Sequence, residues 1–306
     1  MPQTIKMASN TEIREALARA AYDRDEVRVV DPELAGWDWL ATTHRGLFAV
    51  ANDGIQLVLR GWFFGICRHG DHLFVFENCG HRDQGSDRSR IVRFDIAGTT
   101  LTAPRILITG LHNNCHQVAA IDELLCVVDT ANQAIRRYTF DGEPVDVQRP
   151  FPVAPPSDRT GAYLHINTIA RVGGRIGLVL HNGKASPEKN SEIAWLDDNW
   201  SVIDRQSLPG HHCHDLVEDE EGRLWHSLSR EGDIIRSDGT VIRITDDKMV
   251  RGIALRPATM AVGISTFGPR HLRGTLNGNV VVLDRSDFRL LHDIKMPAAP
   301  ADIIAI

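Results

Sequence analysis

A strand-like segment that ends in aspartate recurs along the chain, and no other sequence feature restricts the fold as tightly. Its copies are Ile91–Asp95, Ile135–Gly142, Ile193–Asp197, Ile234–Gly239 and Val281–Asp284, each an apolar-x-apolar stretch followed by Asp. The aspartates at 95, 141, 197, 238 and 284 lie 46, 56, 41 and 46 residues apart. A period of roughly 40 to 50 residues in strand-rich sequence is the spacing of blades in a radial array. Ahead of each copy stands a second unit: a strand, a tight polar turn, then a very apolar strand. Examples are Gly65–Glu77, His116–Asp129, His165–His181, His214–Ser229 and Arg251–Ser265. Read together, these units supply strands one, two and three of five blades.

The two chain ends supply a sixth. Asp302–Ile306 reads as an inner strand that stops abruptly, while Gly46–Val50 and Ile55–Leu59 read as the next two strands, lacking an inner one. Joining them closes the ring and removes an exposed edge. Upstream, Thr11–Asp23 reads as a helix, with Thr11 as cap and an apolar stripe of Ile13, Ala16, Leu17 and Ala20. The expected fold class is all-β, a six-bladed β-propeller closed by N- and C-terminal strands with a short N-terminal helix. Residues 1–36 form an N-terminal extension and 37–306 a single propeller domain. The tryptophans at 37, 39, 62, 195, 200 and 225 are assigned to blade packing.

Bulk properties exclude several classes. Hydrophobic residues at 42% and charged residues at 24% describe a globular chain. A net charge of -6 and a pI near 6.1 argue against nucleic acid, whose phosphates require a concentrated basic face. No apolar run approaches the roughly 20 residues that cross a bilayer, and the first residues carry no apolar signal core. Five cysteines without a CxxC pair give no disulfide framework, so a cytoplasmic location is expected.

The chemistry-bearing residues sit at the blade openings. Aligned at strand one, these read Cys115-His116, Leu164-His165, Cys213-His214 and Val250-Arg251, with His112, His211 and His212 just upstream. Strand one is innermost, so three consecutive blades aim a histidine at the same axial space. Neutral imidazole is a common metal ligand, and three such groups with an open position suit zinc or iron. Hydrogen-bonded channel residues are the competing reading. The cofactor expectation is therefore a divalent metal on His116, His165 and His214: zinc or iron, with manganese or calcium as further candidates.

Strand two returns to the same face, bringing Glu77, Asp129, His181, Ser229 and Ser265 to the mouth. Glu77, Asp129 and His181 are candidate bases or partners of a ligand histidine. Arg251 is suited to a substrate carboxylate or oxyanion, or to an ion pair in the channel. Asn167 is placed inward, two residues after His165. Strand alternation turns Cys115 and Cys213 away from the site. Two polar loops, Cys79–Arg90 and Asn182–Asn190, are expected to overhang the mouth.

This rhythm resembles the six-bladed propellers that include the gluconolactonase and senescence-marker-protein family, the NHL-repeat proteins and the peptidyl-hydroxyglycine amidating lyases. Gluconolactonase-type enzymes hold channel calcium with Glu, Asn and Asp, where this chain places His116, His165 and His214. The amidating lyases are similar in arranging one histidine per blade around zinc, and His116, His165 and His214 match that plan. The resemblance implies a metal-dependent enzyme, a lyase or hydrolase, with a ferrous oxygenase also open. Its expected partner is a small anionic substrate, with no nucleic acid and no membrane. The alternative is a non-catalytic propeller binding a peptide, protein or small ligand on its loop face.

Overall fold

The second strand of each blade explains how these residues assemble. In Leu73-Phe74-Val75-Phe76 every side chain is fully buried, although successive side chains on a strand point to opposite faces. Both faces must therefore be covered. Leu73 and Val75 pack with Leu40, Leu47 and Val58 of one neighbouring blade, while Phe74 and Phe76 pack with Val118, Leu125 and Val127 of the other. Each such side chain contributes on the order of 1.5–3 kcal/mol on burial, and two-sided burial forces an apolar run without alternation.

The protein, a computed structural model, is described over residues 10–80, 85–266 and 276–306. Six four-stranded antiparallel sheets form a six-bladed β-propeller. Inner strands of blades one to five are Phe63–His69, Val118–Ile121, Ile166–Val172, His214–Glu218 and Lys248–Leu255. Each contacts the inner strand of the next blade, and Pro300–Ala305 of blade six completes the circle between blades five and one. The recurring aspartates lie at the turn from strand three to strand four. Asp197 accepts hydrogen bonds from Asn199 N (3.0 Å) and Ser201 N (2.8 Å), Asp238 from Thr240 N (3.0 Å), and Asp284 from Ser286 N (2.8 Å). In these three blades the carboxylate caps its own turn, whereas Asp95 and Asp141 meet Arg93 instead.

Blade six differs from the sequence expectation by one strand. Its order is Pro300–Ala305, Trp39–Thr43, Gly46–Ala51, Gly54–Leu59. Trp39–Thr43, absent from the expected set, lies directly beside the C-terminal strand, pairing Trp39 with Ala305, Leu40 with Ile304 and Ala41 with Ile303. It carries no alternation because all five of its residues are buried.

The N-terminal helix spans Asn10–Asp23, and the side chain of its expected cap Thr11 lies outside the described residues. The expected apolar stripe is not the buried face: Ile13 and Leu17 are about half exposed (47% and 51%), whereas Glu15, Ala18 and Ala21 are buried. Small alanines let the helix lie close to the scaffold, and its C-terminal end is fixed by Arg88 on Asp23 (2.9 Å) and by Gly110 N donating to Tyr22 Oη (3.2 Å). No helix among the described residues is long and apolar enough to cross a membrane.

Ile303 is a measure of ring closure, being buried at the junction of blades five and six. Ile303→Ala is expected to lower unfolding stability by about 2–4 kcal/mol. Urea denaturation would show it as an earlier midpoint; a shift under about 0.5 kcal/mol would mean that the closing strand contributes little.

Candidate active site at the channel mouth

The inner strands begin at one end of the propeller, and the residues that open them converge there. His116 stands two residues before Val118–Ile121, His165 immediately before Ile166–Val172, and His214 opens its own strand. Blade hydrogen bonds fix them: His116 N donates to Val128 O and His181 N donates to His165 O, both at 3.1 Å. The backbone is left-handed at His165 (φ 55°), Asn182 (54°), His212 (56°) and Asp215 (61°). Non-glycine residues in this region cost free energy and cluster where a site dictates the conformation.

The rings form a continuous set. Centroid separations are 5.0 Å for His116–His165, 4.6 Å for His165–His181, 4.1 Å for the stacked His181–His212 and 5.6 Å for His181–His214. Gly183 makes room for two of them, since a methyl group there would sit 2.7 Å from His212 Nε2 and closer still to the His181 ring. Their tautomers differ. His116 Nδ1 lies 2.9 Å from Asn114 O and His214 Nδ1 lies 2.6 Å from His212 O. A carbonyl only accepts, so the proton is on Nδ1 and the lone pair on Nε2. His181 Nδ1 instead accepts from Gly183 N at 3.0 Å, which puts its proton on Nε2.

Burial, followed by the neighbouring imidazoles and Arg251, holds His165 and His181 well below the usual histidine range. Burial, then Arg251, does the same for His214. All three are neutral at physiological pH. Arg251 Nη2 lies 2.7 Å from His214 Nε2, consistent with the lone pair assigned there. Beside this contact a small void of about 20 Å³ is lined by Asn167, Asp215 and Asp302 among others. Asn167 does reach the channel, donating through Nδ2 to Cys213 O at 3.1 Å. Burial pushes the Asp215 carboxyl up to about 6 and Asp302 well above its ordinary range.

The main cavity has a volume of about 580 Å³. His116, His165, His181, His212 and Arg251 line it. Glu77 and Asp129 do not. Arg90 Nε bonds Glu77 at 2.8 Å and Arg28 lies 3.6 Å away. Asp129 accepts from Arg136 Nε at 2.8 Å and from Asn132. Both carboxylates brace the scaffold and are not carried forward as bases. Cys115 and Cys213 are buried between blades, with burial raising both thiols, Cys213 to about 12. Trp62, expected to pack between blades, faces the cavity and lies 5.7 Å from the Phe64 ring. Gly183 and Lys184 bring the Asn182–Asn190 loop to the mouth as expected; residues 81–84 of the other loop lie outside the described residues.

Sequence reasoning missed most of the cavity's cations. Arg14, Arg28, Arg45, Arg60 and Lys184 join Arg251 in its lining, and Glu15 is the carboxylate among the lining residues. Four of these arginines come from the first 60 residues, outside the repeats that carried the sequence reading. The expected metal set fits poorly as it stands. His214 engages both nitrogens, and no three His, Cys, Asp or Glu side chains among the described residues are grouped to hold an ion.

No protein-family model and no curated protein sequence matches the chain. Among solved structures it is similar to a chain of a nidogen/laminin complex, with TM-score 0.62 and 9% identity over 88% of this chain and 98% of that one. A protein of unknown function from Bacteroides caccae gives 0.55 and 10%, covering 89% and 99%. The WD40 β-propeller domain of Doa1 gives 0.52 and 13%, covering 90% and 86%. At such identities the likeness shows the fold, a β-propeller, and nothing of activity.

The depressed histidines predict a pH dependence. As pH falls below about 6.5 the unfolded chain takes up these protons first, so stability declines on acidification. Asp215 acts in the opposite sense, gaining its proton in the fold near pH 6. Comparing His165→Gln with the parent isolates one histidine. The variant should lose less stability between pH 6.5 and 5, by up to about 1.4 kcal/mol per pH unit, in urea titrations across that range. Identical slopes would mean that His165 charges freely in the folded protein.

Proposed function

We propose that the protein is an enzyme, a lyase or hydrolase, that takes a small anionic substrate into the channel-mouth cavity and moves protons with imidazoles. The observation that carries this reading is the opposite polarity of two half-buried rings in one cavity. His116 has an unprotonated Nε2 and His181 a protonated one. One can remove a proton from substrate carbon or from water; the other can deliver one to the departing oxygen. His165 touches both rings and offers a relay between them. Depressed pKa values keep His165 and His181 neutral and so able to act in either sense. Arg251, held by its bond to His214 Nε2, presents its guanidinium to a carboxylate or oxyanion.

A metal-dependent form of this reading remains a proposal with its own structural requirement. His116, His165 and His214 would hold zinc or iron, which would polarise a substrate oxygen or a bound water. For this His214 Nε2 must first be released by Arg251, and no step above depends on it. A non-catalytic binding propeller is the second reading. Its support is that one cavity can bind a ligand without turning it over.

Two measurements separate these readings. Elemental analysis of untagged protein, beside His116→Ala, His165→Ala and His214→Ala variants, reads the metal. Near-stoichiometric zinc or iron that is lost in folded variants supports the metal form, and no uptake on titration ends it. Turnover of a panel of small carboxylates and phosphate esters, followed by proton NMR, reads the enzyme. His116→Gln and His181→Gln should each lower kcat by roughly 10²- to 10⁴-fold. Ligands that bind without any conversion would favour the binding propeller.

A further inference from the structure

We propose that the substrate carries two anionic groups, one at each end, and lies across the channel mouth between opposed cationic walls; this rests on the cavity being the substrate site. Among the described residues six cations line the cavity, against Glu15. Counting Glu77 as well, because it stands behind Arg28, six positive minus two negative charges leaves an excess of four. The whole chain is at -6, so positive charge has been concentrated at this one place.

Its distribution is two-sided. Arg45 lies in the turn between Trp39–Thr43 and Gly46–Ala51 of blade six, and Arg60 lies in the link from blade six to blade one. Arg28 is tied beside them, its carbonyl accepting from Arg60 N at 2.9 Å. Lys184 follows the second strand of blade three, where its Nζ donates to Pro156 O at 2.9 Å. Inner strands contact in the order six, one, two, three, four, five and back to six, which puts blade three diametrically opposite blade six. Arg251 enters from blade five between the two walls.

The cavity of about 580 Å³ has room for a whole small molecule, one long enough to engage both walls at once. The space between is not uniformly polar. Trp62 and Phe64 provide ring faces, and Phe64 stacks on His116 at 5.7 Å and 24°. A ligand with an anion at either end and a less polar centre satisfies both features, and it lays that centre on the histidine rings. Arginine favours phosphate or carboxylate in fork geometry.

Calorimetric titration at fixed ionic strength tests this with methylphosphonate and a series of α,ω-alkane bisphosphonates of increasing spacer length. Affinity should pass through a maximum at one length and there exceed methylphosphonate by at least about tenfold, because the second group binds intramolecularly. Arg60→Gln and Lys184→Gln, on opposite walls, should each abolish the length optimum, and the double variant should add little. Both side chains lie at the cavity rim, and unchanged melting curves would show that the variants fold. Affinity that follows total charge with no length optimum overturns the inference, as does an optimum that survives both single variants. Methylphosphonate binding without preference for any bisphosphonate sinks the two-ended ligand and leaves the anionic-substrate reading standing. Binding of none of the series sinks both.

Discussion

Ring closure is the constraint on which the rest of the molecule depends. Trp39–Thr43 pairs with Pro300–Ala305 across almost the full length of the chain, and Thr42 Oγ1 adds a hydrogen bond to Asp302 O at 3.2 Å. Without that pairing Trp39–Thr43 would present an open edge and blade six would lack its inner strand. Closure also sets the channel. It seats Asp302 among the inner residues, where its carboxylate accepts from Ile66 N of blade one at 3.1 Å. It equally brings Arg45 and Arg60 opposite blade three. Long-range pairing of this kind carries a large loop-closure cost before any contact repays it. The two-sided burial of every second strand supplies the offset.

Electrostatics within the channel follow from that geometry. Imidazoles from blades two, three and four are brought into ring contact, and each disfavours protonation of its neighbours. Arg251 adds to the effect for His165, His181 and His214. The cations that would attract an anionic ligand therefore also keep the rings neutral. An incoming anion would weaken that second effect. The charge of an anionic ligand and histidine protonation would consequently be coupled through the same guanidinium.

Much of the fold was legible because repetition reports on radial symmetry. Aspartates 95, 141, 197, 238 and 284 mark turns, and the apolar second strands mark two-sided burial. Trp39–Thr43, the second strand of blade six, was not legible, since its own Thr42 and Thr43 cut short the apolar run that marks the other second strands. The histidine convergence was readable for the same reason as the blades: equivalent repeat positions occupy equivalent places around an axis. What a repeat cannot report is which partner a side chain chooses. Asp129 and Glu77 occupy the expected ends of strand two, yet each turns to an arginine. Arg136 and Arg90 lie on the adjacent strands, at positions that no period singles out. The cationic wall was missed because Arg14, Arg28, Arg45 and Arg60 precede the repeats and have no counterparts in other blades.

That asymmetry bears on what the cavity is for. A propeller serving as a scaffold for macromolecules needs its charge on protruding loops, where a broad partner surface can meet it. Here the excess charge is drawn inward, and part of it arrives on a helix laid over the mouth through Glu15 and Ala18, both buried. A helix packed in that manner covers part of the mouth, and a covered site holds less water. Reduced hydration strengthens each charge–ligand contact and keeps the imidazoles neutral. A small charged ligand would gain from both effects.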